Sequence, residues 1–290
     1  VSHWKLGIIG GSGLYDLPGL ERVRTEAMTT PWGAPSSDLT VGQLNGVDLV
    51  FLPRHRAGHR IPPHEINFRA NIAALKWAGC TDVLSISACG SLKGDLPPGR
   101  FVVVDQYIDR TRSRVNSFFE TGCVAHVSMA DPVCHRLASL AADAAERAGA
   151  SVTRGGTYLA MEGPQFSARA ESALYRSWGC DVIGMTNMPE ARLAREAELP
   201  YAAIAMVTDY DSWREDEAGV DVPAVLAVMR QNVDLARHAI AALTNMVSDI
   251  QRTPSPQGIE TGLDTAIITP PDARDPVLVE KLKAVAGRVL

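Results

Sequence analysis

The chain has 290 residues, of which 46% are hydrophobic and 21% charged, and its formal net charge is −5. This is ordinary globular composition, with enough apolar residues to bury a core without disulfides or structural metals. The acidic balance lacks the basic footprint of a nucleic-acid binder, no apolar run reaches the roughly 18–20 residues of a membrane span, and five cysteines without a C-x-x-C pair read as reduced thiols of a cytoplasmic protein.

In chain order, the first predicted element is a short buried strand, Leu6-Gly7-Ile8-Ile9-Gly10, and the residues before it do not read as a signal peptide. Leu39–Leu44 and Val47–Leu52 flank Asn45-Gly46, the strongest short hairpin signal, because both turn residues must take positive φ. Asn67–Gly79 has helical spacing and stops at glycine, and Asp82–Ala88 and Phe101–Val104 are strand-like. Asp131-Pro132 is expected to cap and open a helix that runs to Gly149. Thr157–Met161 reads as a strand, Ala168–Trp178 and Asn187–Ala197 as helices, Tyr201–Val207 as an apolar strand, and Val222–Ile250 as a long amphipathic helix. Residues 251–274 read as a loop, and Asp275-Pro276 opens a last helix within 275–290. Alternating strands and helices, interrupted by a hairpin, predict one α/β domain over 1–290 with a mixed sheet between helical layers.

Five strand ends carry residues suited to chemistry. Gly10-Gly11-Ser12-Gly13 offers free N–H groups and a hydroxyl to an anion, or is a plain tight turn; Asp16 stands where a dinucleotide fingerprint needs glycine. Arg54-His55 supplies a planar fork and a ring donor that suit phosphate. His55, His59 and His64 also invite a metal reading, which their spacing around Pro62-Pro63 disfavours. Ser87-Ala88-Cys89-Gly90-Ser91 leaves room beside the backbone, with Cys89 read as a packed thiol. In Met161-Glu162-Gly163-Pro164-Gln165-Phe166, Phe166 is either a stacking surface for a base or a core side chain. Asp209-Tyr210-Asp211 places two acids on one side of an extended chain, where one tends to keep its proton. Such a pair meets a purine N7 and a 6-amino group; a Mg²⁺ site and solvated loop acids are the alternatives.

Taken in order, these words resemble the purine nucleoside phosphorylase family, and within it the 5′-methylthioadenosine phosphorylases. The resemblance runs over most of residues 5–250, through Gly7–Leu14, Arg54-His55, Ala88–Ser91, Glu162–Ser167, Ala170–Ser172, Met185–Glu190 and Thr208–Trp213. It implies an α/β/α sandwich around a mixed, partly closed sheet, assembled as a homotrimer or a hexamer of two trimers. It places phosphate at Ser12, Arg54, His55, Ser87, Ala88 and Thr186, and the sugar near Met185. The purine would lie on Phe166 beside Ser167, with Asp209 at N7 as the catalytic acid and Asp211 at the amino group. Val222, Val225 and Leu226 would line the 5′-alkylthio pocket, closed by His126 of a neighbouring subunit.

The implied reaction is phosphorolysis of methylthioadenosine to adenine and 5-methylthioribose 1-phosphate. Inorganic phosphate is a co-substrate, and no cofactor or metal is implied. Relatives selective for 6-oxopurines carry asparagine where Asp209 stands and a histidine within the stretch Val220-Asp221-Val222, so both positions favour an aminopurine with an apolar 5′ group. Gly184 departs from an asparagine found in some members, and Pro62-Pro63-His64-Glu65 also occurs in relatives acting on 6-oxo substrates. The alternatives are a 6-oxopurine nucleoside or methylthioinosine phosphorylase, a nucleosidase that uses water, and a non-catalytic nucleoside-binding module.

Overall fold

The computed structural model describes residues 3–11, 13–14, 16–214 and 222–290. Ser12, Val220 and Asp221 lie outside the described residues. In chain order the elements are β1 (Lys5–Gly10), β2 (Glu21–Glu26), β3 (Leu39–Leu44), β4 (Val47–Pro53), α1 (Phe68–Trp77), β5 (Asp82–Ser91), β6 (Arg100–Val104), β7 (Gln106–Asp109), α2 (His135–Arg147), β8 (Ser151–Arg154), β9 (Thr157–Ala160), α3 (Arg169–Ser177), β10 (Val182–Gly184), α4 (Asn187–Glu196), β11 (Tyr201–Asp209), α5 (Val222–Val247) and α6 (Pro276–Ala286).

The strands form one mixed sheet in the order β2-β3-β4-β1-β5-β10-β9-β7, with β11 on the other edge of β5 and β6 and β8 beyond it. Successive strand residues point to opposite faces, and both faces are apolar. Ile9, Val50, Leu52, Val83, Val102, Ala203 and Val207 face the layer of α1, α4 and α6. Leu6, Ile8, Phe51, Leu84, Ile86, Ile204 and Met206 face α2 and α5. Two covered faces explain why β5 and β11 read as continuous apolar runs and not as alternating ones. The protein is therefore an α/β/α sandwich on a mixed sheet.

Local signals account for several elements. Asn45 and Gly46 take φ of 52° and 77°, and β3 pairs antiparallel to β4 across them. The Asn67 side chain accepts from Ala70 N at the start of α1, and Asp275 accepts from Val277 N and Leu278 N at the start of α6. Asp131-Pro132 does not open a helix: α2 begins at His135, behind Cys134. The Cys134 N–H donates to Tyr201 O and Arg195 donates to Asp131 O, which keeps this segment extended against the sheet. No helix among the described residues is long and apolar enough to cross a membrane. All five cysteines are buried and free.

The sheet divides at β5, and the division positions the site. On one edge β5 pairs with β1 as far as Ser85 and then with β10 from Gly90, so no strand lies beside Ile86–Cys89. Along its other edge β11 pairs through to Gly90. Ala88, opposite this opening, is the one position of β5 that is not buried. Such a switch point at the carboxyl ends of parallel strands is where open α/β sheets bind ligands.

Candidate active site

Arg54 follows β4, and its backbone N–H donates to Gly10 O, so the Gly10 turn and the Arg54-His55 loop leave the sheet together. The Arg54 side chain turns inward and is only 2% exposed. Its Nε and Nη2 donate to the two Glu190 carboxylate oxygens at 3.3 and 3.2 Å, Nη2 also reaches Ser85 Oγ at 2.5 Å, and Nη1 reaches Ile86 O at 3.2 Å. The fork expected to meet phosphate is engaged by Glu190, and Tyr201 Oη donates to the same carboxylate at 2.8 Å. Nη1 carries two N–H groups and meets a single acceptor among the described residues, Ile86 O, which leaves it a donor that an anion could use.

His55 is also placed differently from its expected role as a donor. Its Nδ1 lies 2.8 Å from Ile61 O. A carbonyl only accepts, so Nδ1 carries the proton and Nε2 of the neutral ring is an acceptor. Burial, with the positive charge of Arg54 beside it, lowers the His55 pKa to about 4 and keeps the ring neutral. His59 stacks on it with ring centroids 4.1 Å apart, and among the described residues no group of three His, Cys, Asp or Glu could hold a metal. Around the opening stand Ser87, whose Oγ lies 3.4 Å from Asn187 Oδ1, and Thr186, buried at the start of α4, whose N–H reaches Tyr158 Oη at 3.5 Å. The Tyr158 ring explains Gly184: a Cβ there would stand 1.9 Å from Tyr158 Oη, so no asparagine fits.

The acid pair sits at the far end of β5. Gly90 makes room for it, since a Cβ on Gly90 would lie 2.9 Å from Asp209 Oδ1. Asp209 ends β11, but Asp211 is not the next outward residue of an extended strand. It has φ of 51°, and its N–H donates to Asp209 Oδ1 at 2.8 Å, closing a turn in place of the expected extension. Burial raises the Asp209 pKa, and the Asp211 carboxylate raises it further against the hydrogen bonds from Thr208 and the Asp211 N–H. Thr208 Oγ1 lies 2.7 Å from Asp209 Oδ2 and 3.1 Å from Cys89 O. The Thr208 hydroxyl donates to Asp209 Oδ2, and the Asp211 N–H to Oδ1, so each carboxyl oxygen is held in place. Burial raises the Asp211 pKa as well. Among the described residues its Oδ2 is buried with no donor at hydrogen-bond distance, as is the neighbouring Ser172 Oγ, while the Ser172 and Ser167 hydroxyls beside the carboxyl act against the shift that burial causes. Burial and Asp209 push the Cys89 thiol well up, which removes it as a nucleophile.

Phe166 is 43% exposed, so it is a surface and not a core side chain, and the adjoining Ser167 is buried. Met185 packs its sulfur into the space that a Cβ on Gly163 would fill, where φ is 69°, so the loop after β9 and the loop after β10 touch. Val222 and Leu226 are 55% and 49% exposed on the first turns of α5, with Val225 half-buried beside them. Further along, Asn232 of α5 donates to Val207 O, and Arg237 donates to Gly13 O, which hold the helix over the mouth. His126 lies on an extended segment, where its N–H donates to Ala266 O. Contacts thus tie Arg54 to Ser85 of β5 and Glu190 of α4, Ser87 to Asn187, Thr186 to Tyr158 and Met185 to Gly163, while Asp209 and Asp211 lie against Gly90 at the end of β5.

Three groups escaped the sequence. Glu190 and Thr208 stood inside family words without a role, because their partners are distant in sequence or backbone. Arg114, 1% exposed, bonds the backbone of both loops just described; the run Arg110, Arg112, Arg114 was its only trace.

Comparison with known proteins decides the family. The model of the phosphorylase superfamily matches residues 5–246. The chain belongs to the phosphorylase superfamily. Within it, the chain is 57% identical over 287 residues to the S-methyl-5′-thioadenosine phosphorylase of Bradyrhizobium diazoefficiens, covering 98% of each. A methylthioadenosine phosphorylase from an antarctic soil metagenomic library superposes with a TM-score of 0.91 at 43% identity, over 98% of this chain and 99% of that one. A variant of the adenosine/methylthioadenosine phosphorylase from Schistosoma mansoni, solved with methylthioadenosine, superposes with a TM-score of 0.81 at 38% identity, over 89% and 96%.

Proposed function

We propose that this phosphorylase cleaves 5′-methylthioadenosine with inorganic phosphate, giving adenine and 5-methylthioribose 1-phosphate. The observation that carries the reading is the buried acid pair at the end of β5: Asp209 with its raised pKa, and Asp211 with a buried Oδ2 that meets no donor at hydrogen-bond distance among the described residues. A buried acceptor without a partner costs about 1–3 kcal/mol until a ligand donor meets it. The 6-amino group of an adenine supplies that donor, while Asp209, neutral, supplies a proton to N7. A 6-oxopurine offers no donor at its 6 position.

In this reading phosphate lies at the opening beside Ala88, among the backbone N–H groups of the Gly10 turn, Ser12, Ser87, Thr186 and the remaining Nη1 donor of Arg54. Glu190 already balances Arg54, so backbone and hydroxyl donors carry most of the binding. His55 Nε2 accepts from the P–O–H group of a protonated phosphate. As the glycosidic bond stretches, negative charge gathers on the purine and Asp209 stabilises it at N7. Phosphate then attacks the anomeric carbon from the opposite face, with inversion.

Phe166 and Ser167 would border the base, Met185 the ribose, and Val222, Val225 and Leu226 the methylthio group. The exposure of Val222 and Leu226 supports closure of that pocket by His126 of a second subunit, in a trimer or in a hexamer of two trimers. The reading includes a single domain working in the cytoplasm without a cofactor. Free base released from methylthioadenosine, adenosine and inosine, each with and without phosphate, tests it. Fast release from methylthioadenosine only with phosphate is expected. Equal release without phosphate makes the protein a nucleosidase, and preference for inosine overturns the assignment of Asp211.

A further inference from the structure

Arg114 lies outside every substrate contact assigned above, yet its side chain is as buried as any in the site. Its five N–H groups meet five acceptors. Nε donates to Glu162 Oε1 at 2.9 Å, Nη1 to Met185 O at 2.5 Å and Met188 O at 2.7 Å, and Nη2 to Glu162 O at 2.7 Å and Met161 O at 3.4 Å. The other Glu162 oxygen accepts from the Ser113 and Arg112 N–H groups, so the carboxylate also grips the backbone that carries Arg114. Phe68 lies under the guanidinium at 5.3 Å.

These acceptors belong to two loops. Met161 and Glu162 begin the loop that ends in Phe166 and Ser167. Met185 and Met188 bracket Thr186 and Asn187 where the loop after β10, which faces sugar and phosphate in the proposed site, enters α4. The charge of Arg114 also makes a small contribution to lowering the His55 pKa. A planar fork satisfies acceptors at fixed angles and distances, which a lysine ammonium does not reproduce.

We propose that Arg114 is a positioning residue that fixes the base-binding loop against the sugar- and phosphate-binding loop. Resting on the phosphorylase reading, it assigns a role to a residue that touches neither substrate. With the loops held apart at one spacing, the purine and the phosphate arrive on opposite sides of the anomeric carbon without further ordering. Small displacements of such loops are costly, because the reaction depends on near-attack geometry.

The test uses Arg114→Met and Arg114→Lys in the full chain. Initial rates with methylthioadenosine and phosphate varied separately, adenine affinity by calorimetry, and melting temperature are measured on each. The expected result for Arg114→Met is a KM at least tenfold higher for both substrates, a kcat at least tenfold lower, and adenine binding at least tenfold weaker. Arg114→Lys recovers part of each. A purely structural residue would lower the melting temperature and the active fraction, leaving both KM values and adenine affinity unchanged, and that result overturns the proposal.

If Arg114→Met does not fold, Glu162→Gln replaces it. That variant keeps the four carbonyl bonds and loosens the fifth, and it is expected to raise both KM values about threefold; unchanged values overturn the proposal. If the wild-type chain releases no adenine, the phosphorylase reading fails, and adenine affinity alone then judges Arg114.

Discussion

At the scale of single residues, protonation decides what each group can do. Burial, with the Asp211 carboxylate beside it, raises the Asp209 pKa and so favours its acid form, the form that the proposed role at N7 requires. Asp209→Ala removes the donor at N7, so kcat is expected to fall by about 10²–10⁴, while circular dichroism and melting stay close to wild type. In the proposed site Asp211→Ala removes the acceptor for the 6-amino group of an aminopurine. Its expected signature is a loss of preference for methylthioadenosine over methylthioinosine, read as the ratio of kcat/KM values. His55 donates its Nδ1 proton to Ile61 O; in the proposed site it meets phosphate as an acceptor, so sulfate, which has no proton at neutral pH, is expected to inhibit only weakly in competition with phosphate. The residue types at these positions were legible from the sequence. Their states were not, because each depends on a neighbour that folding supplies: Ile61 O for His55, Glu190 for Arg54, and the positive φ of Asp211 for the acid pair.

At the scale of elements, buried ionic groups join strands to helices. Arg54 after β4 and Glu190 of α4 form a pair that is 2% and 1% exposed. Removing one partner strands a buried charge, at about 3–5 kcal/mol. Glu190→Ala is expected to lose stability on that scale in chemical denaturation, whereas Arg154→Ala, at an exposed ion pair, is expected to change it little. Glu196 of α4 accepts from Ser117 Oγ and Phe118 N, and burial raises its pKa to about 7 from 4.5. Between those values the folded chain holds a proton that the unfolded chain has lost, so the Glu196 contribution is complete below pH 4.5 and is lost as pH rises through 7. The melting temperature of Glu196→Gln relative to wild type is therefore expected to grow more favourable across that window.

The elements most readable in advance had local causes, such as the Asn45-Gly46 turn and the Asp275 cap. β2, with the sequence Glu-Arg-Val-Arg-Thr-Glu, was unreadable because its residues are nearly all exposed and polar on both faces. The start of α2 was misread because a contact with β11 overrides Asp131-Pro132.

At the scale of the whole molecule, function rests on where the sheet divides. β5 changes partner from β1 to β10 between Ser85 and Gly90. That single change puts a free strand edge at Ala88 and the acid pair a few residues further on. Alternation of strands and helices predicted a mixed sheet between helices, but pairing partners are long-range and left no mark in local pattern. The resemblance supplied the sandwich and the candidate residues, and the structure supplied the strand order β4-β1-β5-β10 with β11 on the other edge of β5.

The most direct test of this arrangement is a crystal structure of the protein with adenine and phosphate bound together. The account predicts adenine with N7 at Asp209 and its amino group on Asp211 Oδ2, and phosphate against the Ala88 N–H, on opposite sides of one ribose-sized space. Adenine bound away from the acid pair, or phosphate in a cavity not shared with it, would contradict the account.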